Sequence, residues 1–132
     1  MTPEAVIQAI EVALSTQLAL LQIAYLSEEE FLAIKQPDAS AVWVRSQIEM
    51  GAVKEIEVGR MGASIRSGVL KLFVHTGPSH VRQAAQIAGQ CEALLRRKSL
   101  SGVEMGEPQT KRQENKRHQQ ETLLVQCAFL AY

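Results

Sequence analysis

An active site in this chain would have to be built from three histidines, two cysteines and 14 acidic side chains. His75, His80 and His118 fall on a strand, a helix start and a loop, and no pair has zinc-ligand spacing; HExxH and CxxC are absent. His75 and His80, five apart across a turn, are the one pair that could share a surface metal, and two solvent-facing histidines account for them more simply. Ser64 and Ser67 flank Arg66 without the GxSxG elbow that exposes a nucleophile. Gly59-Arg60-Met61-Gly62 leads into a strand, so no helix N-terminus is aimed at a phosphate there. Glu28-Glu29-Glu30 are consecutive, which does not single out the acid pair that glycoside chemistry needs. The expectation is a protein that is not an enzyme, with no catalytic residue, no metal and no cofactor.

The elements that would position any surface site are easier to read. Thr2-Pro3-Glu4 supplies an N-cap hydroxyl, a proline at the first helical position and an acid at the positive end of the dipole. Val6, Ile10, Ala13 and Gln17, with Ile7, Leu14 and Leu18 beside them, carry a helical period to about residue 18. Leu20–Leu26 reads as a strand, and Ser27–Ser40 as a polar loop with a turn at Pro37-Asp38. In 41–50 the residues alternate: Val42, Val44, Ser46 and Ile48 face one way, Trp43, Arg45, Gln47 and Glu49 the other. Gly51 ends that strand, Glu55–Val58 begins another, and Gly59–Gly62 turns the chain. Ser64–Thr76 is the strongest strand, with a bulge or bend expected at Gly68.

After Gly77-Pro78-Ser79, with Ser79 as N-cap, the spacing of Val81, Ala84, Ala88, Cys91 and Leu95 predicts an amphipathic helix. Arg96-Arg97-Lys98 closes it at the negative end of its dipole. Leu100–Glu107 is a weaker strand, Pro108–Gln120 a long mobile basic loop, and Glu121–Ala131 a closing strand. Cys91 and Cys127 fall on apolar faces and read as buried thiols, not a disulfide framework. The prediction is a single α+β domain over 1–132: a mainly antiparallel sheet of about five strands with two helices packed on it, in the order α-β-β-β-α-β-β.

At 46% hydrophobic and zero formal charge, the composition excludes both a disordered polyelectrolyte and a protein that coats nucleic acid by basic excess. The zero conceals a split. Residues 1–58 hold nine acids and three bases, net −6; residues 59–132 hold eleven bases and five acids, net +6. Folding could mix these charges away, or leave a subunit with unlike faces that meet head to tail. No basic segment precedes an apolar stretch near Met1, so no signal peptide is expected, and no run reaches the ~18 apolar residues of a membrane span.

The candidate functional residues are therefore surface ones. Trp43, on the wetter face of its strand, either packs under a helix or loop or anchors a subunit interface. Arg45 and Phe73 complete that candidate interface. Lys111, Arg112, Lys116 and Arg117 form the basic part of the loop, which is either simply solvated or a contact for phosphates or a protein partner. Dedicated single-strand recognition would want aromatics among these bases, and none lies between Phe73 and Phe129.

Taken in order, Thr2-Pro3-Glu4-Ala5-Val6, a strand near Tyr25, Phe31 to Pro37, Trp43-Val44-Arg45, Val58-Gly59, Ile65-Arg66-Ser67-Gly68-Val69-Leu70, Ala85 with Ile87-Ala88, and Phe129-Leu130-Ala131-Tyr132 form a collinear pattern. This pattern resembles the tail-terminator (tail-completion) proteins of long-tailed bacteriophages and prophages. The resemblance implies a structural virion protein with a helix-flanked sheet. Copies would assemble as a homohexameric ring that stops growth of the tail tube and meets the head-completion proteins. It further implies the host cytoplasm before assembly and the virion tail after it. The partners expected are other copies of the chain, the tail tube protein and a head-completion protein, with at most transient DNA contact and no membrane. Trp43 and Arg45 match the family's strand and Gly68 its bend. Loop 108–120 departs from the family's pattern; its charge and lack of apolar residues lead to the expectation that it lies at the lumen or rim, close to passing DNA or a partner protein. The alternatives are a head–tail connector, a minor tail protein, or a non-enzymatic nucleic-acid-binding module.

Overall fold

Helix α1 (Pro3–Leu20) opens as its first residues require: Thr2 Oγ1 accepts from the Ala5 N–H at 3.1 Å, and Glu4 lies in the first turn. The computed structural model describes residues 2–33, 42–56, 63–76, 80–115 and 120–131. The α1 row that enters the core is Val6, Ile10, Leu14 and Leu18, four residues apart and fully buried; Gln17 is exposed. Nothing interrupts that period at Leu18, so the helix runs through Leu20 and the expected strand shrinks to β1 (Tyr25–Leu26).

The stop is a Schellman motif. Gln22 takes φ 59°, its N–H donates to Ala19 O at 3.0 Å, and the Ile23 N–H donates to Leu18 O at 2.9 Å. A left-handed non-glycine residue is strained, so Gln22→Gly should raise stability by about 0.5–1 kcal/mol in urea unfolding. No change in the unfolding midpoint would refute this.

Ser27 begins a second helix, α2 (Glu28–Ala33), within the stretch expected to be loop. Ser27 Oγ accepts from the Glu30 N–H and Glu30 Oε1 accepts from the Ser27 N–H, both at 3.3 Å, which is a capping box. The turn expected at Pro37-Asp38 lies outside the described residues.

β2 (Trp43–Ile56) and β3 (Ala63–Thr76) form a long antiparallel pair. Gly51 does not end β2. The register slips by one residue between Met50 and Val53, a bulge that carries the strand on to Ile56. A Cβ on Gly51 would lie 3.1 Å from the Ser67 carbonyl oxygen, so glycine permits the close approach. Gly68, where the bend was expected, keeps regular pairing with Met50 and Phe129; there the missing side chain makes room for the Phe129 ring. The turn at Gly59–Gly62 and the N-cap at Ser79 lie outside the described residues.

α3 (Val81–Leu95) buries Ala84, Ile87, Ala88, Cys91, Leu94 and Leu95 and leaves Val81 half exposed. Arg96 and Arg97 then pair with Glu107, Arg96 at 2.8 Å. The chain continues through β4 (Ser99–Leu100), a tight turn at Ser101-Gly102, β5 (Val103–Met105), β6 (Gln109–Asn115) and β7 (Gln120–Ala131).

The sheet order is β1-β2-β3-β7-β5-β4, with β6 also paired to β7; β1–β2 is parallel and every other pair antiparallel. The α+β class and the mainly antiparallel sheet are as expected. The described residues hold seven strands and three helices, where about five and two were predicted. The largest correction is at 108–120. Residues 109–115 are an edge strand in register with β7 from Gln109↔Gln126 to Asn115↔Gln120, not a mobile loop. Its polar sequence hid it because an edge strand need not present an apolar face, and charge is a usual feature of such edges.

α1 and α3 cover one face of the sheet. There Val44, Leu70, Leu72, Val74, Val125, Cys127 and Phe129 meet the buried rows of both helices. Cys91 and Cys127 are free and buried as predicted, and burial pushes the Cys91 thiol up to about 12.

Candidate interaction site

The alternation in β2 and β3 sends Trp43, Arg45, Phe73 and His75 to the face opposite α1 and α3. Pairing then sets them in two rows. Trp43 is opposite His75, which is opposite Thr122; Arg45 is opposite Phe73, which is opposite Leu124. The Trp43 and His75 rings stack at 4.2 Å between centroids. Phe31, carried over this face by α2, lies 5.7 Å from Trp43 and 6.4 Å from His75, again stacked.

The Arg45 guanidinium is held between two rings. Its Cζ lies 3.9 Å from the Phe73 centroid and 4.6 Å from that of Phe31, both within cation–π range. Arg45 Nε donates to His75 Nε2 at 2.9 Å, so that nitrogen must be unprotonated. The proton of the neutral ring then sits on Nδ1, which faces Thr122 Oγ1 at 3.4 Å. Burial, aided by the positive charge of Arg45, lowers His75 to about 4. Burial lowers Arg45 as well, opposed by Glu28. His75 is thus neutral and bonded through both nitrogens, not a solvent-facing histidine and not poised with His80 for a metal.

The sequence grouped Trp43, Arg45 and Phe73 as one candidate interface, and the structure brings them into one cluster. It also covers them: Trp43 and Phe73 are under 10% exposed. Of the two readings weighed for Trp43, packing beneath a helix describes it within one subunit. The outward surface here belongs to α2, where Leu32 is 75% exposed. Phe31 and His75 went unread as members of this cluster. The Ser27-x-x-Glu30 capping box could have signalled the helix that carries Phe31.

Lys111 and Arg112 lie on β6 with exposed side chains, and Lys116 and Arg117 are outside the described residues. Lys111 pairs with Leu124 and Arg112 with Leu123, so the two bases project to opposite faces and do not form one phosphate-tracking row.

The opposite flank of the sheet is acidic. Glu28, Glu29 and Glu30 lie on α2 against β1 and β2, and the carboxyl of Glu11 on α1 is raised by its own burial first and by the charge of these three second. None of the four is ion-paired to a described residue. Folding mixes part of the −6/+6 split, since Lys71 of β3 holds Glu49 of β2 at 2.7 Å; what it leaves is an acidic cluster at α2, β1 and β2 across the sheet from Lys111 and Arg112.

No helix of the described residues is long and apolar enough to cross a membrane. No family model matches the sequence, nor does any curated protein. Among solved structures, one chain whose name states no activity superposes with a TM-score of 0.69 at 15% identity, over 100% of this chain and 96% of its own. At that identity the likeness is one of fold, from end to end.

Proposed function

We infer that this chain is a ring-forming structural protein of the tail-terminator kind, not an enzyme, which closes the end of a phage tail tube and joins it to the head. The observation that carries this reading is the pair of unlike flanks on one sheet, Glu11 and Glu28–Glu30 at one edge and Lys111 and Arg112 at the other. A cyclic assembly needs heterologous contacts, in which one surface of each subunit meets a different surface of the next. Opposite charge on those surfaces sets their register and suppresses wrong pairings. The collinear sequence pattern supports the same reading. In the virion the ring would face the tube protein on one side and a head-completion protein on the other.

Light scattering across a concentration series, with electron microscopy of the large species, tests it. The expected result is a species of six chain masses seen as a ring with a central hole, which weakens with salt because its contacts are charged. A chain that stays monomeric up to millimolar concentration and forms no rings would overturn the reading.

A further inference from the structure

The two flanks differ in charge, and each also ends in a strand with an open edge. β1 pairs with β2 only at Val44 and Arg45, which leaves the outer edge of β2 from Ser46 to Ile56 without a strand partner among the described residues. At the other side, β6 pairs with β7 alone among the described residues. An open edge presents unpaired backbone N–H and C=O groups that can template another strand.

The directions of these strands fit a continuous sheet. β3 runs opposite to β2, β7 opposite to β3, and β6 opposite to β7, so β6 runs opposite to β2. Placing a second copy beside the first by rotation about an axis along the strands therefore brings β6 and β2 together antiparallel. The helix-covered face stays on one side of the wall throughout. A copy placed by a twofold axis would instead join β6 to β6 or β2 to β2, which does not bring the Lys111 edge against the Glu49 edge.

The side chains select a register. Gln109, Lys111 and Gln113 share the outer face of β6; Gln47 and Glu49 share that of β2. Among these five side chains, only Lys111 opposite Glu49 sets base directly against acid, and that register brings Gln113 opposite Gln47 and Gln109 opposite Gly51. Glu49 is half exposed and already holds Lys71 at 2.7 Å, so Lys111 would complete an alternating base–acid–base row across the joint.

We propose that copies of this chain join edge to edge, β6 of one adding antiparallel to β2 of the next with Lys111 opposite Glu49, so that the ring wall is one continuous sheet. This joint rests on the ring-forming reading above. It goes beyond it by naming the strands, the direction and the register.

Cysteine pairs test it. Within one copy β2 and β6 are three strand spacings apart, about 14 Å, too far for a disulfide, so any bond formed is between copies. The full-length Gln47→Cys/Gln113→Cys variant should give a ladder of disulfide-linked multimers on a non-reducing gel after mild oxidation. Gln47→Cys/Gln109→Cys, four residues out of register, should not. In parallel, Lys111→Glu should weaken assembly about tenfold or more, and adding Glu49→Lys should restore it. Light scattering of the same variants, reduced, separates the failures. Large species without linkage of the Gln113 pair, or equal linkage of the two pairs, would overturn this joint and leave the ring reading standing. Monomers throughout, with no linkage, would overturn both.

Discussion

Replacing Gly68 with alanine should destabilise this fold by about 2–3 kcal/mol, more than any surface change considered above. An added Cβ would lie 2.4 Å from Phe129 Cζ and 2.6 Å from the carbonyl oxygen of Glu49. The first contact could be relieved if the Phe129 ring moved, but that ring is only 2% exposed and fills the core beneath β3. The second is with the backbone of the neighbouring strand and can give only if β2 moves away from β3. Gly68→Ala/Phe129→Leu should therefore recover part of the loss and not all of it, because the Glu49 oxygen remains. Gly89 is the control of opposite sign. It lies exposed within α3 with nothing within 4 Å of its would-be Cβ, so Gly89→Ala should stabilise by about 1 kcal/mol. Urea unfolding of the variants reads both effects. A Gly68→Ala midpoint close to that of the parent would show that β2 and β3 separate far more easily than their long pairing implies.

Gly68 also illustrates what could be read from the sequence. A glycine inside an alternating strand marked a special position, but only the structure shows that it clears space for a ring. The faces of β2, β3 and β7 were legible because a period of two leaves each residue one choice of side, and Val44, Leu72 and Val125 took the apolar one. The rows of α1 and α3 were legible for the same reason at a period of 3.6. β6 was not, since a strand wet on both sides has no period to detect and its state is decided by β7. The α2 helix was missed because its signal is the reciprocal capping of Ser27 and Glu30, a local feature that hydropathy does not register. In the site, the face of Trp43, Arg45 and Phe73 followed from alternation. Their meeting with His75 depends on the pairing Trp43↔His75, and register between strands is a tertiary property.

The largest effect of acid expected among the described residues comes from that pairing. His75 titrates near its ordinary 6.5 in the unfolded chain and at about 4 in the fold, where burial comes first and Arg45 second as the cause. Between those values the unfolded chain binds the extra proton and the folded chain does not. The stability His75 contributes is therefore present in full above about pH 6.5, lost as pH falls towards 4, and level below that. The whole loss is roughly 3 kcal/mol at most, a large share of a small domain's stability. The structural reason is specific. A proton on Nε2 would turn the acceptor of the Arg45 Nε–H into a second donor and set two cations against each other beneath Phe31 and Phe73. Glu28 of α2 is the acid that opposes the lowering of Arg45 by burial, so α2 is tied to this site by charge as well as by the Phe31 ring. Trp43 is the only tryptophan, and its ring stacks on His75, so its emission reports the contact directly. In His75→Gln, an amide can still accept from Arg45 and donate to Thr122 but does not titrate. The variant should unfold with a shallower pH dependence between 6.5 and 4, and its tryptophan emission should stay level over that range. Equal slopes in parent and variant would place the acid sensitivity elsewhere and remove His75 as the group that ties α2 to the sheet.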